Sequence, residues 1–203
     1  MSTRMRIAII DSGIHPGHPH VGEIAGGIEI TATGEGHDTI DRLGHGTAVA
    51  GAIREKAPHA ELFAVKVFDR RLTTSSGIIL RALQWCRKNS IDLVNLSLGT
   101  QNDAHREGFV QSVGDLLVVS AANSLPGSLP GVIGVAAAAD CPRDVFRYSN
   151  GIFYASPYPR PIPGVPVERN LHGASFAVAN MTGLVAQLYS QSINLESLIA
   201  LSA

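Results

Sequence analysis

The sequence predicts an α/β fold in three layers, a mostly parallel central sheet with helices on both faces. Two observations lead to this prediction. Short runs of apolar and β-branched residues, typical of buried parallel strands, recur along the chain. Segments with apolar residues at helical spacing alternate with them, as in βαβ crossovers. The 203 residues suit a single domain over positions 1–203.

Five apolar runs are predicted as strands. In chain order they are residues 6–10, 62–67, 93–98, 116–120 and 132–139. The first run is followed directly by Asp11. Since open α/β sheets place their chemistry at the carboxyl ends of the strands, Asp11 is a candidate functional residue.

Helices are predicted between and after these runs. The first begins near Gly44 and ends before Pro58. The others cover residues 75–89, residues 106–113, the stretch after Ser175, and residues 195–201. Residues 31–41 are rich in Gly and Thr and predict irregular surface. Residues 152–167 contain five prolines, which exclude a helix and favour an extended loop or edge segment.

Composition limits the classes of function. Hydrophobic residues make up 45% of the chain, enough for a packed core. The net charge of −1 gives no reason to expect nucleic acid or an anionic membrane as partner. No apolar run is long enough to span a bilayer, and the one near the N-terminus is too short for a secretory signal. We therefore expect a cytoplasmic protein.

Cysteine and histidine spacing gives no metal motif. Cys86 and Cys141 could form one disulfide, but two reduced thiols are favoured in a cytoplasmic protein. His15, His18 and His20 have a spacing that could bind a metal. No carboxylate or cysteine completes that set, so a polar loop is favoured, and no metal or cofactor is predicted.

Two polar residues lie at predicted helix starts. Ser175 precedes a run of small and apolar residues, where a serine is usually an N-cap but can also be a nucleophile. The backbone N–H groups there point outward at the positive end of the helix dipole, which suits a developing oxyanion. His45 lies between Gly44 and Gly46, which disfavours a place in the core.

Acyl transfer needs a set of residues of these types. A serine hydroxyl is a weak nucleophile, a histidine must take its proton, and a carboxylate must orient the imidazole. Asp11, His45 and Ser175 supply these groups. The amide of Asn123, after the fourth predicted strand, is the candidate donor to the oxyanion.

Four motifs resemble those of the subtilisin-like serine proteases (subtilases), in a compact form without a pro-segment. They are IAIIDSGI at residues 7–14, GHGTAVAG at 44–51, NLSLG at 95–99 and GASFA at 173–177. Their order, Asp then His then Ser, also matches that family. The resemblance implies a subtilisin-like fold and proteolysis as the activity.

The resemblance also implies a role for each matching residue. Ser175 would be the nucleophile, His45 the general base and acid, and Asp11 the orienting carboxylate. Asn123 and the backbone N–H of Ser175 would form the oxyanion hole. The segment Ser97, Leu98 and Gly99 would bind the substrate as an added strand.

The chain also departs from the family pattern. Ala122, Ala174 and Phe176 replace the usual Gly, Thr and Met, and none of the three carries catalytic protons. The insert that binds calcium in many secreted relatives is missing, so calcium is not expected there.

Three activities stay open at this point. The first is a serine endopeptidase with a narrow peptide or protein substrate range, restrained by a separate inhibitor protein. The second is a peptide ligase or macrocyclase that uses the same acyl-enzyme. The third is a pseudoprotease that binds peptide without cleaving it. The intact set of Asp11, His45 and Ser175 favours the first over the third.

Overall fold

The computed structural model describes residues 4–189, in which nine strands form one sheet. The strands are β1 Arg6–Asp11, β2 Gly26–Thr31, β3 Gly34–Gly36, β4 Glu61–Lys66, β5 Leu93–Leu96, β6 Leu117–Ala121, β7 Ile133–Ala137, β8 Phe146–Ser149 and β9 Ile152–Ala155. Their order across the sheet is β3-β2-β4-β1-β5-β6-β7-β9-β8. Across the sheet, the neighbouring strands in the run β2-β4-β1-β5-β6-β7-β9 pair in parallel. The pairs at the two edges, β2–β3 and β8–β9, are antiparallel. The predicted mostly parallel sheet is therefore confirmed.

Four α-helices cover the two faces of the sheet. They are α1 His45–Lys56, α2 Ser76–Lys88, α3 Arg106–Val113 and α4 Ala174–Tyr189. Short 3₁₀ turns lie at Asp103–His105 and Val167–Arg169. The predicted helix at residues 195–201 lies outside the described residues. No helix in the described part is long and apolar enough to cross a membrane.

Two apolar cores lie on opposite faces of the sheet. Alternate side chains of β1 enter different cores, because successive residues of a strand point to opposite faces. Ile7 and Ile9 pack with α1 and α4, whereas Ala8 and Ile10 pack with α2 and α3. The chain thus forms the three predicted layers, with β1 buried on both sides.

A buried polar network joins α1 to α4 and to the segment after β9. Lys56 Nζ donates to Asn180 Oδ1 at 2.7 Å. The amide nitrogen of Asn180 donates to the carbonyl oxygens of Ser156 and Tyr158, both at 2.9 Å. This network fixes the proline-rich segment against the helix that contains Ser175.

The sequence-based assignment of residues 31–41 is wrong in part. Gly34–Gly36 forms the edge strand β3, and Asp41 is buried, with 8% of its surface exposed. The prediction failed because the composition of the segment is that of a loop, whereas its burial depends on distant residues that pack against it.

The sequence-based assignment of residues 152–167 is also wrong in part. Ile152–Ala155 is extended, as predicted, but it lies inside the sheet because β8 covers its outer edge. The signal for this hairpin is Asn150-Gly151, whose φ angles of 53° and 81° match the tight turn favoured between antiparallel strands.

Both cysteines are free and buried, as the favoured alternative predicted. Burial raises the pKa of the Cys86 thiol to about 12, and burial also raises the pKa of Cys141. Since the thiolate is the reactive form, both side chains serve as packing.

Candidate active site

Asp11 and His45 form a hydrogen-bonded pair in which the carboxylate is buried. Asp11 is the last residue of β1 and His45 is the first residue of α1. His45 Nδ1 lies 2.8 Å from Asp11 Oδ1, and the Asp11 side chain is 1% exposed. Because a carboxylate can only accept, the proton is on Nδ1, which leaves Nε2 free to take a proton from another group.

Other donors fix the orientation of the Asp11 carboxylate. The backbone N–H of Ser12 donates to Oδ1 at 2.7 Å, and the Ser97 hydroxyl donates to Oδ2 at 3.4 Å. Burial by itself would lower the pKa of His45, but the hydrogen bond and charge of Asp11, with the charge of Asp41, raise it above its usual value. The protonated imidazole is therefore stabilised at this position.

Asp41 organises the turn that presents His45. Its two oxygens accept hydrogen bonds at 2.7–2.9 Å from the Ser12 hydroxyl, the backbone of Leu43 and Gly44, and both the backbone and hydroxyl of Thr47. Burial would raise the pKa of Asp41, but these donors outweigh it and the pKa is lowered. Sequence reasoning missed this residue, although an Asp just ahead of a helix start is a capping signal.

A close backbone approach holds α1 against the end of β1. A Cβ on Gly46 would lie 2.1 Å from the carbonyl oxygen of Gly13, which no side chain can tolerate. The N–H of Gly46 donates to the Ser12 hydroxyl at 3.0 Å. Glycine at position 46 thus lets His45 come within hydrogen-bonding distance of Asp11.

Replacing Asp41 with alanine should lower both stability and activity. At least two buried donors would lose their acceptor, at about 1–3 kcal/mol each, so we expect a loss of roughly 3 kcal/mol in the free energy of unfolding. Urea denaturation measures that loss. The control is Asp115→Ala, since that side chain is 89% exposed. Wild-type stability and activity in the Asp41 variant would contradict the assigned role.

Ser175 lies in the first turn of α4. The next residue, Phe176, is buried, and its ring centroid lies 5.4 Å from that of His45. The Ser175 hydroxyl is partly exposed and has no hydrogen-bond partner among residues 4–189, so the hydrogen bond to His45 is not formed. Such bonds are often long in enzymes without substrate.

The N-terminus of α4 presents a free backbone donor. Phe176 and Ala177 donate their N–H groups to the carbonyl of Gly173, at 3.0 and 3.4 Å. The N–H of Ser175, one residue earlier, finds no acceptor in the described part of the chain. It is therefore available to an oxyanion, at the positive end of the helix dipole.

The remaining predicted residues lie at the same edge of the sheet. Asn123 is exposed in the turn after β6, and β1, β5 and β6 are parallel neighbours whose carboxyl ends meet at this edge. The pairing of β5 with β6 stops at Leu96, and Thr100 pairs next with Leu125. Residues 97–99 lie between these pairings and are partly exposed to solvent.

The histidines after β1 make contacts within their own loop. His15 Nδ1 lies 3.1 Å from the carbonyl oxygen of Pro16, and His18 Nδ1 accepts from the backbone N–H of His20 at 3.2 Å. Within residues 4–189, no group of three or more His, Cys, Asp or Glu side chains is placed to hold a metal ion.

A carboxylate and a histidine thus form a hydrogen-bonded pair at the carboxyl edge of a three-layer α/β sheet, and the residue after Ser175 contacts the histidine ring. Comparison with known families gives a match of residues 2–197 to the model of the subtilase family. The chain belongs to that family.

Individual relatives agree with this result. Subtilisin E of Bacillus subtilis is 29% identical over 205 residues, which covers 90% of this chain and 52% of that protein. A thermostable alkaline protease of Halalkalibacterium halodurans is 34% identical over 151 residues, 65% of this chain and 41% of that protein. The chain thus spans about half the length of these relatives or less.

A solved structure shows the same fold. It is the crystal structure of a cold-adapted subtilisin-like serine proteinase, with a TM-score of 0.70 and 20% identity. The match covers 96% of this chain and 79% of that chain. The predicted subtilisin-like fold is therefore confirmed.

Proposed function

We propose that this protein is a serine endopeptidase with Asp11, His45 and Ser175 as its catalytic triad. The observation that carries the proposal is the 2.8 Å hydrogen bond between His45 Nδ1 and the buried Asp11 carboxylate, at the point where α1 and α4 both begin. This bond leaves Nε2 of a basic imidazole free to take a proton, and the contact of the imidazole with Phe176 supports Ser175 as the residue that supplies it.

The proposed reaction has two halves. In the first, the Ser175 oxygen attacks the peptide carbonyl carbon and His45 Nε2 takes the hydroxyl proton. The amide of Asn123 and the N–H of Ser175 donate to the oxyanion. The peptide C–N bond then breaks, and His45 gives its proton to the leaving amine. In the second half, water attacks the acyl-enzyme by the same route and releases the carboxylic acid.

The substrate is proposed to bind as an extended strand along Ser97, Leu98 and Gly99. We also propose a narrow range of peptide or protein substrates, with a separate inhibitor protein as a further partner. The walls beside His45 support the narrow range. The proline-rich segment and the loop after β1 line a half-open cavity next to the start of α1, and a chain bound there would contact both segments.

Mass spectrometry of peptide-library digests tests this function. In water enriched in ¹⁸O, hydrolysis places the heavy isotope in each new C-terminal carboxylate, whereas a ligase or macrocyclase joins peptides without it. We expect labelled termini from the wild type and none from Ser175→Ala. Ligated or cyclic products without label would assign the alternative activity, and no product at all would favour the pseudoprotease.

Replacing Asn123 with alanine should lower kcat strongly and change KM little. Loss of the corresponding donor in subtilisin costs about 10²–10³-fold, and we expect a similar loss here. Steady-state kinetics on one cleaved peptide give both constants. Gln101→Ala is the matched control, because it removes another exposed carboxamide. An unchanged kcat in the Asn123 variant would refute its place in the oxyanion hole.

The proposed base predicts how activity depends on pH. His45 accepts a proton only when neutral, and its pKa is raised above the reference value of about 6.5. The value of kcat/KM should therefore rise with pH, and the midpoint of the rise should lie above about pH 6.5. The profile of kcat/KM for the free enzyme measures this midpoint. A flat profile across it would contradict the role of His45.

A further inference from the structure

We propose that the cavity beside His45 is a binding site for a carboxylate on the leaving-group side of the substrate, with Arg160 as the recognising group. The assignment of the cavity to the leaving-group side rests on the proposed function. The cavity has a volume of about 490 Å³. Its lining comes from the loop after β1, the start of α1 and the segment after β9.

The position of the cavity assigns it to the leaving group. Gly44, Thr47 and Ala48 line it, and these residues surround His45 in the first turn of α1. Its lining does not include Asn123 or the backbone of Ser97–Gly99, where the acyl part of the substrate would bind. Because His45 must protonate the leaving amine, the residues that follow the cleaved bond pass this side of the imidazole.

Arg160 presents a positive charge to the cavity. Arg160 is partly buried, and no carboxylate within residues 4–189 forms an ion pair with it. Its guanidinium donates to the carbonyl oxygen of His20 at 3.3 Å, which fixes the side chain and leaves other N–H donors free. Such a fork matches the geometry of a carboxylate.

Asp41 also lines the cavity, but its oxygens point to other donors and it forms no ion pair with Arg160 within residues 4–189. Asp41 already accepts five hydrogen bonds from its own turn and from Ser12. Burial, with the charges of Arg160 and His18, lowers the pKa of His20, and Arg160 is the arginine of the lining, whose guanidinium stays charged. A partly desolvated cation without an ion-pair partner attracts a carboxylate more strongly than an exposed one does.

The walls add an apolar preference. Pro159, Ile162 and Leu171 line the cavity, and the last two side chains are 45% and 50% exposed. A peptide that places an acidic residue next to an aliphatic residue after the cleaved bond fits both features. Either a glutamate side chain or the C-terminal carboxylate of the substrate could supply the charge.

The test uses two assays on one set of peptides. The first assay measures how tripeptide amides compete with a fluorescent Glu peptide for binding to the Ser175→Ala protein. Each tripeptide has Glu, Gln or Lys at its first or second position and Leu at the other of these two positions. Longer peptides with the same replacements after the cleaved bond give kcat/KM with the wild type. We expect the Glu peptides to be favoured about tenfold over Gln, the size of one charge-assisted hydrogen bond, with Lys the weakest.

Variants of Arg160 separate recognition from damage to the fold. Arg160→Gln should remove the preference for Glu, whereas Arg160→Lys should keep part of it. Arg70→Gln is the matched control, since that side chain is 91% exposed. Equal results for Glu and Gln in both assays, or a Glu preference unchanged in Arg160→Gln, would overturn the proposal.

Two further comparisons separate the source of the charge from the activity of the enzyme. Gln tripeptides with a free C-terminal carboxylate are compared with their amides, and a preference for the free acid assigns the charge to the chain terminus. If the wild type cleaves nothing while Arg160-dependent binding of Glu peptides persists, the proposed function fails but the carboxylate site stands.

Discussion

Replacing Ser175 with alanine should lower kcat for peptide hydrolysis by about 10⁶-fold, the scale of the loss when subtilisin lacks its nucleophile. The residual rate would come from the oxyanion donors and from peptide binding, which the substitution leaves in place. The fold should be unaffected, because the hydroxyl is partly exposed and has no partner in the described part of the chain. We expect the free energy of unfolding to change by less than about 0.5 kcal/mol.

The measurement is single-turnover kinetics on a peptide that the wild type cleaves, together with thermal unfolding. Ser128→Ala is a suitable control, since it removes another exposed hydroxyl from the same edge region. A Ser175→Ala protein that kept a substantial part of the wild-type rate would show that another group is the nucleophile.

Replacing Asp11 with asparagine should lower kcat by about 10⁴-fold. An amide keeps the size of the side chain but cannot stabilise the imidazolium that forms during each half-reaction. Because the hydrogen bond and charge of Asp11 raise the pKa of His45 against the effect of burial, that pKa should also fall. The pH midpoint of the remaining activity should therefore move to lower pH.

This shift distinguishes an electrostatic role from a structural one. The pKa of His45 is measured by NMR in the wild type and in Asp11→Asn, and urea denaturation reports the stability of both. Asp92→Asn is the control, because its carboxylate bonds to the backbone of Arg6 at the opposite end of β1. A loss of activity with no change in the pKa of His45 would contradict the proposed role of Asp11.

The structure brings together two of the predicted site residues, Asp11 and His45, whereas the sequence did not reveal the residues that surround them. Asp11 ends a strand whose apolar run is a strong local signal. His45 begins a helix and is flanked by glycines, which is also a local signal. Their separation in the chain says nothing about distance, and only the order of motifs linked them to Ser175. The 2.8 Å hydrogen bond required the structure, since the packing of α1 against β1 sets it.

Asp41 and Arg160 show why the sequence did not predict the surroundings of the site. Asp41 is in a segment with the composition of a surface loop, and its burial depends on Ser12 and Thr47. Arg160 is in a proline-rich stretch that has no periodic pattern. Its place in the cavity lining near the start of α1 follows from the network that fixes this stretch to α4. Both roles arise from tertiary contacts.

The most direct test of the triad is the site of covalent labelling by a fluorophosphonate, located by peptide mapping. Such a reagent reacts with a serine whose proton a nearby base can take. The triad predicts one adduct, on Ser175, that is lost in Ser175→Ala and strongly slowed in His45→Ala. An adduct on a different residue, or labelling of Ser175 at the same rate without His45, would contradict it.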